Sequence, residues 1–436
     1  MADVIPLRGV NAKTTPVIDI WRVGRLHHVQ LQNVIAQVGL PAENVVIDAS
    51  AALEQKNLIQ DIRNLGGRLI LDTNVAEISS VGKVSKRLRN APWAPEVGVL
   101  SVSTMSASDR TALVDAIAEY AVEHGYQRVI APSHVLKGGL NTPVFDLDRA
   151  LCGELRTALD RIGGSYVAVD YCLILQHTVL KVSEEREAIK LGLKNIPFDN
   201  LWIRAAGFGS DATPAAIQNF IWNLLLLHSL RRGMIADYVD GLAAESAMYF
   251  GAVSAVSRGL VASGRFDVGS WDKVPKNRSP QDSGPPVRIP VFGIDGTLTR
   301  QEFQLIGSNP RLRRLVSCGR DCCASGFSDM EQAPKIHAVR SRRLQIDEIN
   351  SVPDLHRPSH FLSQRMSRSK SLAIQIAKID SGSEKLDRKF AKAAKRITEA
   401  ERSLQELEVR VTKDFGRSRA FYADRFAGVK LGRSEK

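Results

Sequence analysis

Ionisable side chains stand where the apolar runs of this sequence stop. Val45-Val46-Ile47 ends in Asp48, Leu69-Ile70-Leu71 in Asp72, Val129-Ile130 in a short polar stretch holding His134, and Val167-Ala168-Val169 in Asp170-Tyr171. Leu201-Trp202-Ile203 ends in Arg204, and Met234-Ile235-Ala236 in Asp237. Carboxylates gathered at one rim perturb each other's proton affinity, so one of them can serve as base or nucleophile. Asp72, Asp170 and Asp237 are the carboxylates expected to share such a site. Arg204 would balance their charge or hold an anionic group, and His134 and Tyr171 would line the site. Asp48, followed by Ala49-Ser50, is as readily a helix cap as a chemical group. A second cluster of chemistry-bearing residues follows later, at Cys318-x3-Cys322-Cys323. His337, His356 and His360 lie downstream, and this set offers the sulfur and nitrogen ligands that zinc favours.

The elements that must position these groups repeat one unit. A short β-branched run is followed by a stretch of helical length, seen at 51–65, 108–124, 147–162, 181–193, 213–230 and 241–251. Runs apolar on both faces suit a parallel sheet, and strands alternating with helices mean βα units. Val99-Leu100-Ser101-Val102-Ser103 reads as a further strand, and an eighth falls around Ala252 to Leu260. About eight units in 270 residues favour an α/β (βα)8 barrel of the TIM type over an open doubly wound sheet. Its site would form at the C-terminal ends of the strands.

The rest of the chain divides by composition. Residues 1–271 form the barrel, and 272–310, rich in turn formers, a linker or long loop. Residues 311–365 form a basic Cys/His segment, and 366–436 a basic helical tail. In the tail Phe390, Ala393, Ile397, Ala400, Leu404, Leu407 and Val411 step by three and four, a heptad seam. Such a seam packs on a second copy, on another helix or on the barrel. The formal charge of +12 is uneven, at −1 over 1–270, +1 over 271–310, +3 over 311–360 and +9 over 361–436. A basic third on a neutral body points to a polyanionic partner, nucleic acid first. Five cysteines exclude a disulfide scaffold. The most apolar stretch, Phe220 to Leu230, is too short to span a bilayer, so a cytoplasmic protein without a membrane partner is expected.

Phe292-Gly293-Ile294-Asp295-Gly296-Thr297 is similar to a haloacid dehalogenase motif, but Gly293 stands where the nucleophile belongs and cannot form an aspartyl-phosphate. Asp240-Gly241-Leu242-Ala243-Ala244-Glu245 resembles the Gly-Gly-Leu-Ala-x-Gly-Glu substrate loop of the tRNA-guanine transglycosylase family, which includes DNA-modifying relatives. Arg265-Phe266-Asp267-Val268 is similar to that family's Phe-Asp-Cys-Val, and the Cys318 cluster follows where its zinc motif lies. The resemblance covers about residues 230–340. It lacks the Asp-Ser-Gly-Gly-Phe-Gln block, for which Leu71-Asp72-Thr73-Asn74 is the nearest counterpart. It implies a zinc-containing transferase that exchanges a nucleobase in DNA or RNA. Asp267, or Asp237 at the strand end, would attack the glycosidic carbon, and Asp72 and Asp170 would read the base. Asp240, Gly241 and Glu245 would contact substrate. The alternative is a non-catalytic nucleic-acid-binding scaffold with a degenerate barrel and a coiled-coil tail.

Overall fold

Eight runs buried on both faces form parallel strands that close into a barrel: β1 (Ile18–Val23), β2 (Asn44–Asp48), β3 (Arg68–Asp72), β4 (Arg128–Ile130), β5 (Ala168–Gln176), β6 (Asn200–Ala206), β7 (Gly233–Asp237) and β8 (Ala255–Arg258). The computed structural model describes residues 15–24, 27–40, 42–80, 86–96, 99–100, 105–260, 265–271, 288–320, 322–415 and 429–430. The outer ring holds α1 (His28–Val38), α2 (Lys56–Asn64), α3 (Val75–Ile78), α4 (Ala107–Glu123), α5 (Pro143–Arg161), α6 (Ser183–Leu193), α7 (Pro214–Leu227) and α8 (Gly241–Tyr249). The fold is therefore the expected (βα)8 barrel.

One strand differs from the expectation. Val99 and Leu100 belong to no strand, and Ser101, Val102 and Ser103 lie outside the described residues. The eighth strand is instead β1, closed in parallel against both β2 and β8. Its Asp19 and Arg22 break the apolar run in the sequence, yet both charges are buried against partners, Arg258 and Asp237.

Alternation divides each strand between the helix ring and the barrel interior. Ile20, Val46, Ile70, Ile130, Cys172, Trp202, Ile235 and Ala255 fill the interior. Charged residues occupy both ends. Near the N-terminal ends of the strands, Asp170 accepts from Arg128 at 2.5 Å, Asn200 at 2.8 Å and Trp202 at 2.7 Å. The chain closes this end itself. The Asn200 amide donates to the Lys430 carbonyl at 3.1 Å and accepts its N–H at 2.8 Å, and Val429 packs against the interior residues.

After the barrel, β9 (Arg288–Val291) and β10 (Gly296–Thr299) pair as an antiparallel hairpin within the span expected to be a linker. Residues 272–287 lie outside the described residues. Helices α9 (Arg300–Gly307), α10 (Pro310–Val316), α11 (Phe327–Gln332), α12 (Pro334–Ser351), α13 (Arg357–His360), α14 (Ser367–Ala377) and α15 (Glu384–Phe415) follow, with a π-helical turn at Phe361–Met366. The heptad seam lies on α15, where Phe390, Ile397, Ala400, Leu404, Leu407 and Val411 are buried. It packs on α14 and on α7 of the barrel, with Arg410 stacked 3.7 Å over Trp222. Ahead of β1, Asn350 of α12 holds both the N–H and the carbonyl of Val17. Among the described residues no helix is long and apolar enough to cross a membrane.

Asn200→Ala would leave Asp170 short of a donor and both polar groups of Lys430 unmet. A loss of about 1–3 kcal/mol is expected, read as a lower urea midpoint, with faster amide exchange at Lys430.

Candidate functional site

Three of the strand-end acids meet at the C-terminal mouth of the barrel. Asp48 and Asp72 are register partners on β2 and β3, and Asp237 ends β7. Like charges this close need a cation between them. Arg22 of β1 supplies it, with Nη1 3.1 Å from Asp48 and 2.8 Å from Asp72, and Nη2 2.8 Å from Asp237. Arg204 of β6 spans the other side, 2.5 Å from Asp72 and 2.7 Å from Asp237. Asp72 and Asp237 therefore each touch both guanidiniums. Burial alone would raise the Asp72 carboxyl, but Arg204 and Arg22 outweigh it and hold Asp72 well below the usual carboxylate range. At Asp48 burial prevails over Arg22, and the carboxyl is raised.

The backbone fixes two of these acids in the same way. Asn74 N–H bonds Asp72 at 3.0 Å, and Tyr238 N–H bonds Asp237 at 3.1 Å. Both donors come from residues with positive φ, 53° at Asn74 and 60° at Tyr238. Asparagine tolerates that region, whereas a tyrosine there is strained, a condition that clusters at functional sites. The strain places the Tyr238 ring over Arg22 at 4.8 Å and beside Arg204 at 5.6 Å. Phe266 stacks on Tyr238 at 5.3 Å, and Trp271 meets Phe266 edge-on at 5.2 Å, making an aromatic lip. Glu77, on α3, is pushed up to about 7 by burial and by the charges of Asp48 and Asp72, which makes it a proton donor and acceptor near neutral pH.

Arg22, Glu77 and Tyr238 were not singled out from sequence. Arg22 lies in the strand that its own charge conceals. Tyr238 had a signal, since it directly follows the strand-end Asp237.

Other expected site residues lie elsewhere. Asp170 is near the opposite end of the barrel, because β5 continues to Gln176 instead of stopping at Tyr171. With Asp170 facing inward, Tyr171 faces the helix ring and contacts Phe198 at 5.9 Å. His134 is bound through Nδ1 to Asp148 of α5 at 2.5 Å, and both are buried. Asp240 lies outside the strand wall, clamped by Arg258 at 3.0 Å and by Arg342 of α12. Gly241 opens α8 beside it, and Glu245 pairs with Arg365 at 2.9 Å. None of these three joins the mouth acids; they face the C-terminal module. Asp267 is exposed next to Phe266 of the lip, where it caps Gly269 N–H at 3.0 Å.

The Cys/His expectation resolves to four residues. Ligand atoms of Cys318, Cys322, Cys323 and His337 all lie within 4.8 Å of one another. Tetrahedral binding needs ligand atoms about 3.5–3.8 Å apart; the Cys318–Cys322 sulfurs are 3.3 Å apart and Cys323 Sγ is 3.1 Å from His337 Nδ1. His337 Nε2 faces the Pro290 carbonyl of β9 at 3.2 Å, so Nε2 carries the proton and Nδ1 turns its lone pair to the sulfurs. Burial keeps the imidazole neutral, as a ligand must be. Burial and the neighbouring thiols push the Cys323 thiol up, a situation that a bound cation reverses. These four residues can hold a metal ion. His356 and His360 are not among them, since His356 is exposed ahead of α13 and the His360 ring lies on Tyr249 at 6.2 Å. Their separation from α12 by a turn at Pro353 carries them away.

No protein-family model matches this chain, and no curated protein matches its sequence.

A carboxyl raised by the fold contributes stability that is complete below its unfolded value, near 4.5, and lost as pH rises through about 7. Glu77→Gln is expected to match the wild type at pH 4 and to exceed it at pH 8, by no more than roughly 3 kcal/mol. Urea midpoints measured from pH 4 to 8 check this; a constant difference across that range would remove Glu77 as the titrating group.

Proposed function

We propose that this chain is a zinc-containing, nucleobase transglycosylase-like enzyme acting on nucleic acid. The observation that carries the reading is the pairing of an acid-rich barrel mouth under an aromatic lip with a Cys3His cluster in the module after the barrel, beyond a hairpin and two short helices. A flipped base needs an aromatic face to stack on and polar groups to meet its edge. Tyr238 and Trp271, both partly exposed, offer the face, and Asp72 with Arg204 offers acceptor and donor.

Asp267 suits the nucleophile better than Asp237. It is exposed beside the lip, whereas Asp237 is fully buried and tied to two guanidiniums. Its carboxylate would attack the sugar C1′ while the C1′–N bond breaks. The departing base takes a proton from Glu77, and the incoming base returns one as it displaces the carboxylate. Zinc, when bound, would be structural, tying the 318–323 loop to α12 and β9.

The backbone of the nucleic acid would lie on the C-terminal module. Arg311, Arg314, Arg340, Arg343 and Arg368 are exposed there, and none is ion-paired among the described residues.

The test is incorporation of labelled guanine into tRNA or duplex DNA by the purified protein. Asp267→Asn should abolish exchange, a loss of about 10³-fold or more, with the melting temperature unchanged. If Asp237→Asn alone abolishes it, the nucleophile is Asp237. Full binding of nucleic acid with no exchange by the wild type favours the scaffold reading. Elemental analysis should find one zinc per chain, lost in Cys322→Ser/Cys323→Ser; a metal-free wild type would count against the family likeness.

A further inference from the structure

The four residues of the Cys/His cluster are not equally enclosed. Cys322, Cys323 and His337 are 7%, 4% and 2% exposed, whereas Cys318 is only half-buried. A cavity of about 190 Å3 opens beside the cluster, and Cys318 forms part of its wall. His337, the other member of the four to line it, is buried with both ring nitrogens engaged. The cavity is charged in one sense. Arg320, Arg365 and Arg368 line it, and among the described residues no carboxylate does. Arg368 and Gln364 are its exposed edge. Metal binding gives all three sulfurs thiolate character, so access decides which of them is oxidised first.

A second sulfur is already in place behind the first. Cys322 Sγ is 3.3 Å from Cys318 Sγ, while Cys323 Sγ is turned to His337 Nδ1 at 3.1 Å. Gly319 and Arg320, between Cys318 and Cys322, belong to no helix or strand. The two sulfurs can therefore close on each other without breaking a regular element. An accessible thiolate with a resolving thiol beside it is the arrangement in which reversible oxidation ends in a disulfide.

Given the metal centre proposed above, we propose that Cys318 is a site of oxidation by peroxide and that its bridge to Cys322 empties that centre. The Cys318 sulfur attacks one peroxide oxygen. The S–O bond forms as the O–O bond breaks, hydroxide leaves, and Cys318 becomes a sulfenic acid. The Cys322 sulfur then attacks the Cys318 sulfur. The S–S bond forms, the S–O bond breaks, and the second oxygen leaves as hydroxide. Two electrons pass from the sulfur pair to peroxide, which takes up two protons and ends as two waters. Cys323 and His337 remain, two ligands where structural zinc needs four.

Hydrogen peroxide added to the zinc-loaded full chain, with and without dimedone as a sulfenic-acid trap, tests this by peptide mass mapping and by zinc release to a chromogenic chelator. Dimedone should mark Cys318 at least about tenfold more than Cys322 or Cys323. Without the trap, a Cys318–Cys322 bridge should form with one zinc released per bridge, and dithiothreitol with added zinc should reverse both. Arg368→Glu alters the cavity without touching the cluster. It should slow alkylation of Cys318 by iodoacetate, an anion, about threefold or more relative to neutral iodoacetamide. A chain that takes up no zinc removes the metal reading, and the release with it. In a zinc-loaded chain, dimedone on Cys322 or Cys323 first, a bridge to Cys323, thiols and zinc retained through millimolar peroxide, or an unaltered alkylation ratio in Arg368→Glu would each overturn the proposal while leaving the metal reading intact.

Discussion

Four buried charges, two guanidiniums and two carboxylates, close the mouth of this barrel as one unit. Asp72 and Asp237 each touch Arg22 and Arg204, so no charge in the set depends on a single partner. The arrangement is demanded by burial. An isolated ion at this depth would cost several kcal/mol, and removing one member of a buried pair costs about 3–5 kcal/mol. The four come from β1, β3, β6 and β7, so the unit forms only when the barrel has closed. The strained Tyr238 backbone and the left-handed Asn74 then lock the carboxylates from above. The acids near the mouth that lie outside this unit are Asp48, Glu77 and the exposed Asp267.

The module after the barrel is bound to it by the same kind of economy. Arg258, Asp240, Asp19 and Arg342 make a second charged set outside the strand wall, joining β8, β1 and α12. The Asn350 clasp on Val17 and the burial of the α15 seam against α7 extend the contact along the barrel. The Cys3His cluster sits further out, and through His337 and Pro290 it fixes α12 to the hairpin.

The sequence carried the barrel and half of its mouth. Apolar runs ending in Asp48, Asp72 and Asp237 were legible because those strands stop at their polar residue, and Arg204, two residues short of the end of β6, still faces the mouth. Asp170 broke the rule, since a buried acid inside a strand looks the same as one at its end until its partners Arg128 and Asn200 are known. β1 was hidden for the converse reason, as two charges satisfied from distant segments make a core strand look polar. Asp240-Gly241-Leu242-Ala243 read as a substrate loop, yet which side of the strand wall it faces depends on Arg342, a hundred residues away. The three cysteines were visible from spacing. The choice of His337 over His356 and His360 needed the length of α12, which keeps only His337 near the 318–323 loop.

The far end of the barrel imposes an order of manufacture. Its last strand ends at Arg258, but among the described residues the interior at this end is covered by Val429 and Lys430, about 170 residues later. At a ribosomal rate of about 5–20 residues per second, that interval lasts roughly ten to thirty seconds. Throughout it Asn200 and the polar groups around Asp170 face an open vestibule. The nascent barrel must therefore survive as a tube wet at its base until Val429 and Lys430 have been made and seated.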